Sequence, residues 1–281
     1  MFSVSLTGRE TASVPGIASF LAAALLAASP VQHAQAQLQG PVAVGEADRS
    51  SNWAGYALSA GEGASEAASF TDVTGTWTEP AVSCHPGSAA ASGFWVGLGG
   101  FSDTSQSVEQ IGTSANCLYS GRPLHYAWYE LFPAPAVRLN LTIRPGDRIL
   151  GAVASTGDEI VLELKNVSRN VQVTKTIAVE SPDLTSAEWI AEAPSMCDAV
   201  TCATFPLARF GRVAFGRAAA TSGGHMGTIT DPAWQATPIV LVPASVDPQL
   251  LIPRNDSGAS PSQVTGDGRA FTVTWGVTAE P

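Results

Sequence analysis

Positive charge is scarce in this sequence: its 281 residues include 14 Lys and Arg against 24 Asp and Glu, a formal net charge of -10. Charged residues of either sign make up 14% of the chain, compared with about 25% in ordinary soluble domains. Nucleic acids and anionic membranes are bound by basic surfaces, so the charge balance argues against both as partners. Disorder is also excluded, because a 45% hydrophobic content with seven Trp and ten Phe can bury a sizeable core.

Long hydrophobic runs are also lacking. The longest apolar stretch, 17–28 (IASFLAAALLAA), has 12 residues, which is too short to cross a bilayer of about 30 Å as a helix. It follows Arg9 and precedes the small-x-small sequence Ala34-Gln35-Ala36. This order predicts a signal peptide over 1–36 and an exported, extracellular product. We expect a short lead-in or residual prosegment over 37–50 and a single domain over 51–281.

Cysteine is rare, with four residues that all fall in the mature chain. An even number in an exported protein suggests two disulfides, with three possible pairings. We favour Cys84–Cys117 together with the local pair Cys197–Cys202. The cysteine spacing does not fit a zinc finger and the four His are scattered, so we expect no metal site.

Helical periodicity is almost absent. Short alternating runs rich in Val, Ile, Thr and aromatic residues predict strands over 137–143, 159–164, 171–177 and 271–275. Turn sequences rich in Gly, Pro and Asp separate these runs. About a dozen such strands in about 230 residues predict an all-β chain, either an antiparallel two-sheet sandwich or a barrel.

Familiar hydrolase motifs are missing. The chain has no Gly-x-Ser-x-Gly sequence, and none of the three His of the predicted mature chain stands in a local motif that suggests a serine triad. The triplets at 103–105 (DTS) and 256–258 (DSG) superficially resemble the paired motifs of pepsin-like aspartic proteases. Those motifs follow apolar strand residues, whereas Ser102 and Asn255 precede the triplets here. We interpret both as ordinary turns.

Aromatic residues and carboxylates instead cluster on predicted strands. Alternation places Tyr126, Trp128 and Glu130 on one face of a strand, and Glu188 shares a face with Glu192. Polar side chains flanked by Trp on such strands predict the lining of a groove. For any one cluster alone, Trp packing in the core and Glu in solvent is the better interpretation, but the clusters taken together are too specific for it. The clusters are 52–56 (NWAGY), 94–100 (FWVGLGG) with 109–112 (EQIG), 126–130 (YAWYE) and 187–192 (AEWIAE).

In order and spacing, these clusters resemble those of the glutamic peptidases, or eqolisins, of the scytalidoglutamic peptidase type. The resemblance extends from Asn52 to the last strands. It implies an antiparallel two-sheet β-sandwich of the concanavalin/lectin-like jelly-roll class. It also implies secretion, an acid pH optimum and endopeptidase activity on polypeptides without metal or cofactor. We expect a monomer.

The resemblance also implies a catalytic dyad of Gln110 and Glu192. We expect Glu192 to activate water as general base and acid, and Gln110 to stabilise the oxyanion. A hydrogen bond from Gln110 to Glu192 across neighbouring strands would keep the pKa of Glu192 low. The residues expected to bind substrate are Trp95, Tyr126, Trp128, Glu130 and Glu188.

Two positions depart from the family pattern. Gly99 stands where the family has Asp, and Tyr126 stands where fungal members often have Asp. Two other functions remain open from the residues alone. One is a glycoside hydrolase that uses Glu130 and Glu192 as its carboxylate pair. The other is a non-catalytic, lectin-like binding protein.

Overall fold

The computed structural model describes residues 47–61, 69–102, 105–197, 202–243 and 257–276, without the side chains of 196–197 and 202–203. The predicted signal peptide and the aspartates of both pepsin-like triplets, Asp103 and Asp256, lie outside the described residues. In the described part of the chain, no helix is long and apolar enough to cross a membrane.

Eighteen strands make up the regular structure of the described residues. They are β1 Asp48–Ser50, β2 Trp53–Ser59, β3 Phe70–Thr78, β4 Gly93–Leu98, β5 Val108–Cys117, β6 Pro123–Phe132, β7 Val137–Leu139, β8 Arg148–Thr156, β9 Glu159–Asn166, β10 Val171–Ala178, β11 Ala187–Glu192, β12 Ser195–Cys197, β13 Cys202–Thr204, β14 Arg212–Ser222, β15 His225–Gly227, β16 Gln235–Leu241, β17 Ala259–Pro261 and β18 Phe271–Trp275.

Fourteen of these strands form two layers that are joined at one edge, while β15 pairs with β14 and β12 and β13 form a separate two-stranded sheet. Hydrogen bonds link the fourteen strands in the order β10-β9-β8-β3-β14-β18-β17-β16-β2-β11-β4-β5-β6-β7. Neighbours along this path are antiparallel, and β1 pairs with β16 in parallel. The path folds back so that β3, β8, β9 and β14 pack against β4, β5 and β11. The predicted antiparallel two-sheet β-sandwich is therefore confirmed.

Two apolar clusters cover the two faces of the layer that contains β4. The larger cluster lies between the layers and includes Trp77, Phe215 and Trp189. The smaller one lies on the opposite face and centres on Trp95 and Trp128. Every residue of β4 is buried because both faces are covered, which explains its nearly continuous apolar sequence.

The predicted strands at 159–164, 171–177 and 271–275 are confirmed with small changes at their ends. The prediction for 137–143 is wrong beyond Leu139, where β7 ends. Leu141 and Ile143 are nevertheless buried in the interlayer core. Their alternation reflects burial without strand pairing. Part of the predicted lead-in, Asp48–Ser50, forms β1.

The Cys84–Cys117 disulfide is present and ties the segment after β3 to the end of β5. The backbones of Cys197 and Cys202 lie opposite each other on β12 and β13. Their side chains lie outside the described residues, so this pairing stays a prediction.

Replacing both Cys84 and Cys117 by Ser should destabilise the protein by about 4 kcal/mol. The disulfide closes a loop with a sequence separation of 33, which restricts the unfolded chain. Chemical denaturation of the wild type and the double variant measures the difference. A loss below about 1 kcal/mol would mean that the unfolded chain is not restricted in this way.

Candidate active site

A groove of about 500 Å³ opens on the face of the β4 layer that points away from the other layer. Gln110, Glu130 and Glu192 are the functional side chains in its lining. One side consists of Gly100 and residues 105–108, which we call the groove wall. The other side is the mostly apolar segment 132–136 (FPAPA).

Gln110 and Glu192 reach this groove from strands that are not neighbours. Gln110 lies on β5 and Glu192 on β11, with β4 between them. Gln110 is in register with Gly97, and Gly97 with Glu188, four residues before Glu192. Because side chains alternate along a strand, Gln110 and Glu192 lie on the same face. The expectation of neighbouring strands was wrong, since β4 separates the pair.

Trp95 occupies the space between them on β4 and is fully buried. Its indole runs along the strand over residues without side chains. A β-carbon on Gly97 would lie 3.0 Å from Trp95 Cζ3, and one on Gly112 would lie 2.6 Å from Trp95 Cβ. The indole Nε1 donates a hydrogen bond of 2.7 Å to Glu192 Oε2. The glycines therefore allow Trp95 to hold the Glu192 carboxyl in place.

The Glu192 carboxyl also accepts a hydrogen bond of 3.3 Å at Oε1 from Asn52 Nδ2. Burial raises the pKa of Glu192 to about 7, and the nearby charge of Glu130 adds to this effect. The donors Trp95 and Asn52 oppose the rise without cancelling it. Glu192 therefore carries its proton in acid, contrary to the expectation of a low pKa.

We expected Gln110 to donate a hydrogen bond to Glu192. It donates to Glu130 instead. The distance from Gln110 Nε2 to Glu130 Oε2 is 2.7 Å. An ionised carboxylate only accepts hydrogen bonds, so this contact turns the Nε2 end of the amide towards Glu130. The second N–H of the amide is left for a ligand. Burial raises the pKa of Glu130 above its ordinary value.

Of the residues expected to bind substrate, Glu130 lines the groove. Trp95 and Trp128 are buried in the apolar cluster on this face, and the partly buried Tyr126 packs against it. Glu188 is 0% exposed, which contradicts direct contact with substrate. For the three aromatic residues the structure favours the packing alternative, whereas Glu188 fits neither interpretation because it is buried and not in solvent.

Other site residues were not identified from the sequence. Asn52 belongs to the aromatic cluster 52–56. It precedes Trp53, which is the strand partner of Glu192, so its place in that cluster could have marked it as a site residue. Nothing local marked the groove wall or the 132–136 segment. At Gly99, whose φ is +77°, a β-carbon would lie 2.7 Å from Asp183 Cβ. Asp183 therefore occupies the space that a side chain at this position would need.

Comparisons with known proteins agree with this fold. A model of the Peptidase A4 family matches residues 51–245. The structure of scytalido-glutamic peptidase with a peptide-based transition-state analogue is 26% identical, with a TM-score of 0.61 over 80% of this chain and 98% of that chain. SCP-B, an eqolisin solved with the tripeptide Ala-Ile-His, is 24% identical, with a TM-score of 0.58 and the same coverage of 80% and 98%. No curated protein sequence matches the chain.

Replacing Glu130 with Gln should lower the pKa of Glu192, because it removes a negative charge that disfavours ionisation nearby. Carbon-13 NMR titration of the Glu carboxyls measures this directly, and we expect about 7 for Glu192 in the wild type. Glu159→Gln, at an exposed position on β9, is the control. An unchanged Glu192 titration in Glu130→Gln would show that the two carboxyls do not interact.

Proposed function

The chain belongs to the Peptidase A4 family, and we propose that it hydrolyses peptide bonds in this groove with Gln110 and Glu192 as its catalytic residues. The observation that carries the assignment is the shared groove. An amide and a carboxyl from strands separated by β4 lie on one face and line one cavity, each fixed by its own hydrogen bond.

Membership of the family makes the chain a glutamic-type endopeptidase, so its substrates are polypeptides. Neither of the other functions left open by the sequence has this support. Glu130 and Glu192 do line one groove, as a glycoside hydrolase would require. Glu130, however, accepts a hydrogen bond from the Gln110 amide. The proposed peptidase mechanism explains this contact, because it holds Gln110 in position.

Gln110 polarises the scissile carbonyl in this mechanism. Its Nε2 keeps one N–H on Glu130 and donates the other to the carbonyl oxygen of the substrate. The hydrogen bond strengthens as negative charge develops on that oxygen. Loss of one such donor typically costs about 3 to 4 kcal/mol of transition-state stabilisation.

Glu192 begins the reaction as a neutral carboxyl, because its pKa of about 7 keeps the proton on it in acid. As water attacks the carbonyl carbon, one Glu192 oxygen accepts a proton from the water. The other oxygen gives its proton to the carbonyl oxygen. The product is a neutral tetrahedral diol, and Glu192 is again a neutral carboxyl.

The second step reverses the direction of the proton transfers. Glu192 gives a proton to the amide nitrogen and accepts one from a hydroxyl of the diol while the carbon–nitrogen bond breaks. A carboxylic acid and an amine leave, and the enzyme returns to its starting state. Acid–base help of this kind is typically worth about 10² to 10⁴ in rate.

We also propose that the protein is secreted and works as a monomer in acid. The Cys84–Cys117 disulfide is typical of oxidising, extracellular compartments. The apolar run 17–28 and the small-x-small sequence after it support export. A protonated Glu192 in the resting site suits acid conditions, where a His base would be protonated.

Gln110→Ala and Glu192→Gln should each reduce proteolysis at acid pH by at least about 10²-fold, because one removes the carbonyl donor and the other the proton carrier. Digestion of a denatured protein by the purified variants measures the loss, and circular dichroism checks the fold. Glu159→Gln serves as the matched control. Near-normal cleavage by either folded variant would refute the dyad.

Gly97→Ala should lower kcat/KM about tenfold, since small displacements of catalytic groups are costly. The new β-carbon would lie 3.2 Å from Gln110 Cβ and 3.0 Å from Trp95 Cζ3. Gly93→Ala is the matched control on the same strand and face, where the nearest atom, Trp128 Cζ2, lies 3.5 Å away. Equal losses in the two variants would argue against a spacing requirement between Trp95 and Gln110.

A further inference from the structure

Three carboxyl groups that interact electrostatically take no part in the proposed chemistry. Glu188 lies on β11 and Glu109 on β5, with exposures of 0% and 1%. Asp183 lies in the segment that leads into β11 and is partly buried. The charges of Asp183 and Glu109 both act on Glu188.

Asp183 connects the groove wall to the segment leading into β11. Its Oδ2 accepts hydrogen bonds from the Ser105 hydroxyl and from the Gly100 N–H, the latter at 3.3 Å. Its own backbone N–H donates to Ser107 Oγ at 3.3 Å. Thr185 completes the arrangement by donating its N–H to Asp183 Oδ1 at 2.9 Å. Three residues of the groove wall thus depend on one aspartate.

The two glutamates beside Asp183 have few hydrogen-bond partners. By hydrogen-bond geometry, neither oxygen of Glu188 and only one oxygen of Glu109 has a partner among the described residues, and the nearby Ser186 hydroxyl offsets the burial of Glu188 only in part. A buried carboxylate without donors is far more costly than a neutral carboxyl. Asp183 differs, because its donors favour the ionised form.

The charged groups that interact with Glu188 are Asp183 and Glu109, and both are acidic. On its face, its strand partners are Ala57 on β2 and Gly97 on β4. Beyond Gly97 the same face carries Gln110 on β5, and then Glu130 on β6. Glu192 lies farther along β11. Within the described ranges, the charged groups that face Glu188 are therefore acidic, and ionisation would add repulsion to the cost of burial.

The pKa values follow this geometry. Burial raises the pKa of Glu109 to about 7 against the opposing hydrogen bond from Ser107, and the charge of Asp183 adds to the rise. Burial raises the pKa of Glu188 well above its ordinary value, again with a contribution from Asp183. For Asp183, burial acts in the same direction, but the hydrogen bonds from Ser105 and Thr185 outweigh it and lower the pKa.

We propose that Asp183 is a positioning residue of the catalytic groove: its carboxylate holds the groove wall beside Gln110, and this hold lasts only while Glu109 and Glu188 stay uncharged. Ionisation of either glutamate places a second buried negative charge near Asp183. The segment can relieve this repulsion only by opening towards water, which releases Gly100, Ser105 and Ser107. The enzyme would then lose its groove wall at neutral pH even with an intact dyad.

The sign of the effect on stability follows from the raised pKa values. A carboxyl whose pKa is higher in the folded state holds its proton more tightly there. Its contribution to stability is complete below the unfolded value and is lost as the pH rises through the folded value. For Glu109 that window runs from 4.5 to about 7. Across it the folding equilibrium constant should fall by about 10²-fold.

The first test is thermal unfolding as a function of pH, which does not depend on the proposed peptidase mechanism. The melting midpoint of the wild type should fall as the pH rises from acid to neutral. In Glu109→Gln and in Glu188→Gln the fall should be smaller by about 5 °C, because Gln copies the neutral acid. Glu159→Gln should follow the wild type. Parallel curves for the wild type and both Gln variants would overturn the proposal.

The second test measures the positioning role and does rest on peptidase activity. At acid pH, Asp183→Ala should raise KM for a peptide substrate about tenfold, with kcat changed less than about twofold, because the groove wall loses charge-assisted hydrogen bonds. Asp183→Asn, which keeps an acceptor oxygen, should restore part of the loss. A fall in kcat with unchanged KM, or no change in either, would contradict the role. A wild type without peptidase activity would refute the proposed function, and the unfolding curves would still decide the pH dependence.

Discussion

The hydrogen bond between the Trp95 indole and Glu192 is the contact on which the rest of the site depends. It requires a large aromatic ring to lie along β4, where a β-carbon on Gly97 would lie only 3.0 Å from the ring and one on Gly112 only 2.6 Å from Trp95 Cβ. The ring lies buried on β4, the strand between those that carry Gln110 and Glu192. The same burial that fixes the carboxyl also raises its pKa to about 7. Position and protonation state therefore have one physical cause.

Much of this arrangement could be predicted from the sequence, because strands leave a local pattern. Period-two alternation located β9, β10 and β18, and it placed Trp128 and Glu130 on one face. The pattern failed where burial and pairing separate. Leu141 and Ile143 alternate as a strand would, yet they pack in the core without a strand partner. Alternation reports which side chains are buried and leaves the backbone pairing open.

The contacts that give the site its chemistry left no local signal. Asn52 and Glu192 are 140 positions apart in sequence, and Ser105 and Asp183 are 78 apart. Sequence reasoning also could not foresee that Glu188 would be sealed inside, since its neighbours on the strand resemble those of the groove-lining Glu192. Buried acids beside a catalytic groove suit an enzyme that works in acid. They stabilise the fold there because they are neutral, and they work against it as the pH rises.

The most direct measurement of the central claim is a crystal structure of this chain with a tetrahedral transition-state analogue of peptide hydrolysis. The account predicts that the tetrahedral centre lies between the two catalytic residues. One analogue oxygen should accept a hydrogen bond from Gln110 Nε2, and another should contact the Glu192 carboxyl while Trp95 keeps its bond to Glu192. An analogue that binds in the groove without touching Gln110 or Glu192 would contradict the account.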